Sequence, residues 1–259
     1  MPTALITGAT AGIGRGFVDE FARRGFDLVL VARDEERLTA LSEECFQRHG
    51  VRCEVLPADL AVRADVDRVA ARAADPSRPV SALVNNAGFG LNAAFLAADV
   101  DDEQRMLDVL VDAVMRLTHA AVPGMVERRS GMVINVSSVA AWVTGGTYSA
   151  AKAWVTSFSE GLAQEVGGTG VRVVAVCPGF THTQFHERAG IDMSTLPQWM
   201  WLDVPRVVDQ AMRDLARGRP VSVAGPQYKA IAGILRHAPR SVVRLATASR
   251  RRNPRFVRD

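Results

Sequence analysis

Thr3-Ala4-Leu5-Ile6-Thr7-Gly8-Ala9-Thr10-Ala11-Gly12-Ile13-Gly14 is the stretch that decides how this chain folds. Its apolar run up to Thr7 predicts a strand, and the apolar spacing from Ile13 to Arg24 predicts a helix closed by Gly25. Glycines in the pattern G-x-x-x-G-x-G join the two. In such a turn Gly8 permits the tight reversal, Gly12 lets the backbone approach a pyrophosphate, and Gly14 lets the helix lie close on the strand. The helix N-terminus then faces the phosphates, with Thr10 and Ile13 in the same cradle. Glycines of this kind also serve in ordinary strand-to-helix turns, so the dinucleotide reading rests on their place in the first βα unit.

Outward from that unit, short β-branched runs alternate with longer segments of helical period. Strands are expected at 3–7, 27–32, 51–56, 80–85, 132–136, 171–177 and 221–223. Helices are expected at 13–24, 34–49, 62–73, 100–128 (as two helices), 148–165 and 205–217. The pattern predicts an α/β fold with a doubly wound, seven-stranded parallel sheet of Rossmann type. No repeat or composition break precedes residue 226. The expected organisation is a catalytic domain over 1–225, including a substrate lid over 183–205, and a basic amphipathic tail over 226–259.

With 259 residues, 48% hydrophobic and 23% charged, the chain has enough apolar content to bury a core, which excludes a disordered polymer. Net charge is +3, unevenly placed: residues 226–259 carry +8 and residues 1–225 carry −5. No nucleic-acid motif accompanies the basic tail, and nucleic acid is not an expected partner. Cys45, Cys53 and Cys177 form neither a Cys-x-x-Cys pair nor a cluster with histidine, so no disulfide framework and no metal site are expected. His182 and His186 lack a third ligand. With no export signal and no uninterrupted apolar span, the expectation is a cytoplasmic protein that does not cross a membrane.

The second strand ends at Ala32-Arg33, where an acid would bind the ribose 2′-hydroxyl of NAD and an arginine would accommodate a 2′-phosphate. Arg33 therefore favours NADP(H), with NAD(H) as the lesser possibility because Asp34 follows and no second cation is evident in the glycine turn. A solvated helix-start residue is the other reading of Arg33. Tyr148 and Lys152 stand at i and i+4 at the start of a helix, on one face, in a chain with two tyrosines and two lysines. An ammonium stabilises a phenolate, which brings a phenol towards the range of a general acid or base. Ser137 and Ser138 end the fifth strand, where a hydroxyl can bind a substrate oxygen or make a local turn.

Taken in order, the motifs resemble the classical short-chain dehydrogenase/reductase family: Thr7 to Gly14, Asp59-Leu60, Asn85-Asn86-Ala87-Gly88, Ser138, Tyr148/Lys152 and Pro178-Gly179. The resemblance covers residues 3 to about 225 and implies a role for each motif. Tyr148 would exchange a proton with the substrate oxygen, Lys152 would lower its pKa and bind the nicotinamide ribose, and Ser138 would orient the substrate. Asp59, beside Leu60, would bind adenine. Asn86, Ala87 and Gly88 would line the cofactor, and Pro178, Gly179, Thr181 and Thr183 would hold its nicotinamide end.

Two departures stand out. Leu110 occupies the place where family members carry an asparagine supporting a proton-relay water, and a leucine neither donates nor accepts a hydrogen bond. The interval from Ser138 to Tyr148 is also shorter than usual and contains Gly145-Gly146, which alters one wall of the pocket.

Phe185, Met193, Leu196, Trp199, Met200 and Trp201 suit either an apolar lid over the substrate or packing of that loop onto the body. The tail reads as two short amphipathic helices broken at Pro239, which dock on the body, complete a homo-oligomer, or touch an anionic membrane peripherally. The expected function is an NADP(H)-dependent oxidoreductase acting on a small apolar carbonyl or secondary alcohol, without metal. Its rivals are a non-catalytic dinucleotide-binding sensor or partner-binding module, supported by Leu110, and a membrane-recruited lipid reductase.

Overall fold

The computed structural model describes residues 1–185, 190 and 196–248. Seven strands form one parallel sheet in the order β3-β2-β1-β4-β5-β6-β7: β1 (Thr3–Thr7), β2 (Asp27–Ala32), β3 (Cys53–Pro57), β4 (Ala82–Asn85), β5 (Gly131–Val136), β6 (Val171–Val176) and β7 (Val221–Ser222). This is the doubly wound Rossmann-type arrangement. The order reverses between β1 and β4, and ligands of such sheets bind in the crevice beyond the strand C-termini at that point.

Helices flank both faces: α1 (Gly12–Arg23), α2 (Glu35–His49), α3 (Arg63–Ala74), α4 (Val100–Leu107), α5 (Ala113–Glu127), α6 (Thr147–Glu165), α7 (Val204–Ala216), α8 (Pro226–His237) and α9 (Arg240–Ala248). Alternation along the strands feeds two cores. Ile6, Leu28 and Leu30 pack with Phe17 and Phe21 of α1 and Val207 of α7 on one face. Leu5, Val29 and Leu83 pack with Val69 of α3 and Leu117 of α5 on the other. Each such side chain, fully buried, contributes about 1.5–3 kcal/mol. Helix α1 ends at Gly25, whose φ of 76° lets its N–H reach Ala22 O and that of Phe26 reach Phe21 O.

Several expected boundaries move. Val51 and Val80 are buried but precede the ladder, which begins at Cys53 and Ala82. The stretch 100–128 is a single run in which a π-helical turn, Asp108–Asp112, joins α4 to α5. Val100–Glu127 spans 28 residues, and its most apolar stretch of 18 has a mean hydropathy of 1.3, long and apolar enough to cross a membrane by length and composition. Half of its most apolar window is buried inside the domain, with Leu110, Leu117 and Met125 in the core, as a core helix of an α/β domain requires.

Pro239 separates α8 from α9. Helix α8 is packed from its first turn: Tyr228 is 1% exposed and belongs to the main core. The arginines of the far tail, Arg250 to Arg252, lie outside the described residues, as do His186 and Met193.

Candidate active site and dinucleotide cradle

Gly8 and Gly12 adopt φ of 65° and 55°, a region side chains disfavour, and between them the chain reverses into α1. Helix α1 starts without a side-chain cap and without an acid in its first turn. By contrast, α2 and α4 are capped by Asp34 and Asp99 and begin with acidic residues. The first turn of α1 is thus the one among these three whose dipole and amides are left for an external anion.

A Cβ on Gly14 would fall 2.2 Å from Gly8 O and 2.3 Å from Asn86 Nδ2. Gly14 is therefore demanded by the turn's own carbonyl and by Asn86, beyond the expected packing of helix on strand. Thr7 is the hub of this region. Its hydroxyl accepts from the N–H groups of Asn86 and Ala87 and donates to Val84 O, while Asn86 Nδ2 donates to Thr7 O and Gly8 O. Asn86 and Ala87 thereby fix the turn's shape.

At the far side of the cradle, Arg33 is exposed and has no ion-pair partner among the described residues. Asp34 accepts from Arg37 N at 3.0 Å, so its carboxylate serves as the cap of α2. Arg37 Nη2 reaches Thr10 O at 3.3 Å and places a second guanidinium over the glycine turn, a cation the sequence does not reveal within the turn itself. Asp59 accepts from Ala61 N and from Arg105 Nη2, the latter at 2.6 Å, and Leu60 beside it is buried. A cleft of about 540 Å³ opens at Thr10 and Gly12 and runs along α1 to Val204 and Val208, with Arg37 and Thr183 on its rim.

The Tyr148/Lys152 pair lies on α6 beside the end of β5. Ser138, which caps a short 3-10 turn (Val139–Trp142), hydrogen-bonds the Tyr148 phenol. Lys152 is 5% exposed, donates to Val136 O at 2.8 Å, and stands 5.8 Å from the Tyr148 ring centre. Burial pushes the phenol up to about 12, opposed by the Ser138 hydrogen bond, and pushes the ammonium down to about 8, opposed by the nearby Cys177. The expected lowering of the phenol by Lys152 is not found: the ammonium donates to Val136 O, and burial of the phenol outweighs its Ser138 hydrogen bond.

The two serines take different roles. Ser137 is buried and donates to Lys152 O at 2.7 Å, with Thr156 Oγ1 at 2.8 Å, which leaves Ser138 facing Tyr148. Leu110, in the π-helical turn, is 1% exposed and packs with Met106, Ala151 and Tyr148. A Cβ on Gly88 would lie 2.7 Å from Leu110 Cδ2 and 3.9 Å from Lys152 Nζ, so Gly88 is pinched between the two.

After β6, Pro178 O accepts from Val139 N, which ties this loop to the Ser138 turn. Thr181 is buried, donates to Gly179 O, and pairs with Leu202 in an isolated parallel bridge. Thr183 stands beside Gly12, whose added Cβ would touch its methyl at 3.1 Å. Phe185 lies 5.9 Å from the Tyr148 ring, centre to centre, with Gly90 between them. His182 stacks on Trp201 at 4.6 Å, and among the described residues no group of three potential metal ligands occurs.

Most of the expected residues are thus linked by contact: Asn86 to the turn, Thr183 to Gly12, Gly88 to Lys152 and Ser138 to Tyr148, while of these the cleft along α1 takes in the turn and Thr183. Thr7, Arg37, Gly90 and Tyr228 were missed. Arg37 carried a usable signal, since it stands four residues after Arg33 in the first turn of a helix. The turn fits a nicotinamide dinucleotide: its floor is one a Cβ would fill at Gly14, and the helix start above it is uncapped. Residues Gly8 to Gly14 would hold the pyrophosphate, and Gly88, Lys152 and Thr183 the nicotinamide end.

Comparison with known proteins agrees with this geometry. A family profile described as short chain dehydrogenase matches residues 2–193. Sulfoacetaldehyde reductase 2 of Chromohalobacter salexigens is 42% identical over 189 residues, covering 70% of this chain and 73% of that protein. A short-chain dehydrogenase from Sphingobium yanoikuyae, solved in complex with NADPH, superposes with a TM-score of 0.83 at 34% identity, covering 100% of this chain and 98% of that one. A bulky-bulky ketone specific alcohol dehydrogenase from Comamonas testosteroni gives 0.78 at 30% identity, covering 93% and 96%.

Proposed function

The chain belongs to the short-chain dehydrogenase family, and on that premise we propose that it is an NADP(H)-preferring oxidoreductase acting on an apolar carbonyl or secondary alcohol. The observation that carries the reading is the group Ser138, Tyr148 and Lys152 at the end of β5, facing Phe185 of the loop whose Thr183 meets the glycine turn. When bound, a nicotinamide dinucleotide supplies hydride to the substrate carbon or accepts it. Tyr148 gives its phenolic proton to the substrate oxygen in reduction and takes one in oxidation. Ser138, already bonded to that phenol, orients the same oxygen. Lys152 presents its charge to the Tyr148 ring, 5.8 Å from its centre.

Preference for the 2′-phosphate is supported by Arg33 and Arg37 at the adenosine end, together with the engagement of Asp34 as a helix cap. An apolar substrate is supported by the walls around Tyr148: Leu110, Leu91 and Phe89 in one cluster and Phe185 across from it. The ketone-specific dehydrogenase among the solved neighbours fits this wall better than the small sulfonated aldehyde named for the other relative.

The test is NADPH oxidation by the purified chain against a panel of bulky ketones and short polar aldehydes. Turnover confined to the apolar members is expected. Cofactor binding without turnover of any member would favour a non-catalytic binding module, the reading that Leu110 beside Lys152 supports.

A further inference from the structure

The chain's second tyrosine lies in α8, far in sequence from Tyr148, yet it packs against the loop that carries Thr183 and Phe185. The Tyr228 ring lies against Gly179, where a Cβ would fall 2.0 Å from Tyr228 Cζ. Its hydroxyl accepts from Phe180 N at 3.0 Å and donates to Met200 O at 2.7 Å. Phe180 and Met200 sit at the two strands of a loop neck: Leu202 N donates to Phe180 O and His182 N to Leu202 O, both at 2.9 Å. One phenol thus bolts both sides of the neck from which Thr183 and Phe185 project towards Gly12 and Tyr148.

The far end of α8 is anchored as well. Arg236 donates to Glu160 Oε1 at 2.9 Å and lies over the Trp142 ring, 5.6 Å from its centre. Trp142 closes the 3-10 turn that Ser138 begins. Helix α8 therefore spans the two segments that flank Tyr148, one through each end.

We propose that Tyr228 is a positioning residue of the active site: through the neck Phe180–His182 and Met200–Leu202 it sets where Thr183 meets the cofactor and Phe185 meets the substrate, with Arg236 holding α8 in register. This rests on the reading of the chain as an NADP(H)-dependent oxidoreductase. Without the hydroxyl, Phe180 N and Met200 O lose the partner they share, which leaves the neck with the Thr181–Leu202 bridge, the His182–Trp201 stack and the Gln227–Trp199 hydrogen bond.

Tyr228→Phe keeps the ring on Gly179 and removes the bolt. Expected are a KM for the carbonyl substrate raised about five- to tenfold with kcat within about twofold, and NADPH affinity weakened while that of 2′,5′-ADP, which lacks the nicotinamide end, is unchanged. A merely structural role would lower the unfolding temperature and weaken both nucleotides alike, and that result overturns the proposal. So does an unchanged KM in a folded variant. Arg236→Gln, a change at the surface, is expected to give the same split on a smaller scale, and it decides the matter if Tyr228→Phe does not fold; an unchanged KM there overturns the proposal. Binding of NADPH by the unmodified protein separates the two levels: if it fails, the functional reading falls with this one, and if it holds while Tyr228→Phe behaves like the parent, only this inference falls.

Discussion

Leu110 Cδ2 lies 2.7 Å from the point a Cβ would take on Gly88, and that same point is 3.9 Å from Lys152 Nζ. An apolar side chain from a π-helical turn thus fills the space beside the buried ammonium of Lys152. Such turns within long helices concentrate at functional sites. Here the turn carries a residue whose side chain offers no polar atom. Leu110→Asn places an amide in that space. It is expected to raise turnover or shift its pH profile, at a cost of about 1–3 kcal/mol in stability if the amide finds no partner. Kinetics across pH, measured beside thermal unfolding, checks this; a stable variant with the parent's turnover and profile contradicts it.

Tyr148→Phe removes one oxygen and leaves the ring among Leu110, Ala151 and Phe185. On the proposal that this oxygen exchanges the proton, kcat is expected to fall by roughly 10²- to 10⁴-fold with NADPH affinity nearly intact. Turnover within about threefold of the parent would end the role assigned to Tyr148.

What the sequence made legible was local. The glycine turn declares itself because three glycines follow a strand within eight residues, and Tyr148/Lys152 because helical spacing alone puts them on one face. The unread contacts join distant parts of the chain with no period to betray them. Arg37 bonds Thr10 across 27 residues, Thr7 holds Asn86 across 79, and Tyr228 meets Phe180 across 48. Strand edges shifted for a related reason. Val51 and Val80 are apolar because they are buried, and burial does not require a place in the ladder.

Arg33 and Arg37 make a quantitative prediction about cofactor choice. Arg33 has no ion-pair partner among the described residues, and Arg37 has only a carbonyl, so both charges are available to a 2′-phosphate. Arg33→Ala is expected to weaken NADPH by about tenfold or more and NADH by less than about twofold. Fluorescence titration with both cofactors measures this. Equal losses would show that Arg33 supports the loop and does not read the phosphate.

Lys152 sets the expected pH dependence. Burial holds its ammonium near a pKa of about 8, so the charge is present below that pH and lost above it. Tyr148, pushed up to about 12, keeps its proton throughout this range and is in the donor form that reduction requires. In the reductive direction kcat/KM, which reports the free enzyme, is therefore expected to be level below about pH 8 and to fall as pH rises through it, approaching about tenfold per unit. Lys152→Met should lower the rate and abolish the fall. A profile that climbs between about pH 8 and 10 would mean that the buried ammonium is not needed for proton delivery.

Gly14→Ala tests the cradle without touching any proton-transfer group. The new methyl would meet Gly8 O at 2.2 Å and Asn86 Nδ2 at 2.3 Å, and neither can yield freely. Gly8 O is backbone in a turn of fixed positive φ, and Asn86 is clamped by its bonds to Thr7 O and Gly8 O. Overpacking of this kind costs about 1–3 kcal/mol. Relief requires the turn to open away from α1, which spoils the approach of the pyrophosphate to the helix start. The variant is expected to fold with a lowered unfolding temperature and to lose affinity for NADPH and NADH together, since both share the pyrophosphate. Gly25→Ala is the control: its φ of 76° makes a side chain costly there, but the Cβ meets nothing within 4 Å, so it should lose stability and keep cofactor affinity. If Gly14→Ala bound both cofactors like the parent, the turn would not be where the pyrophosphate lies.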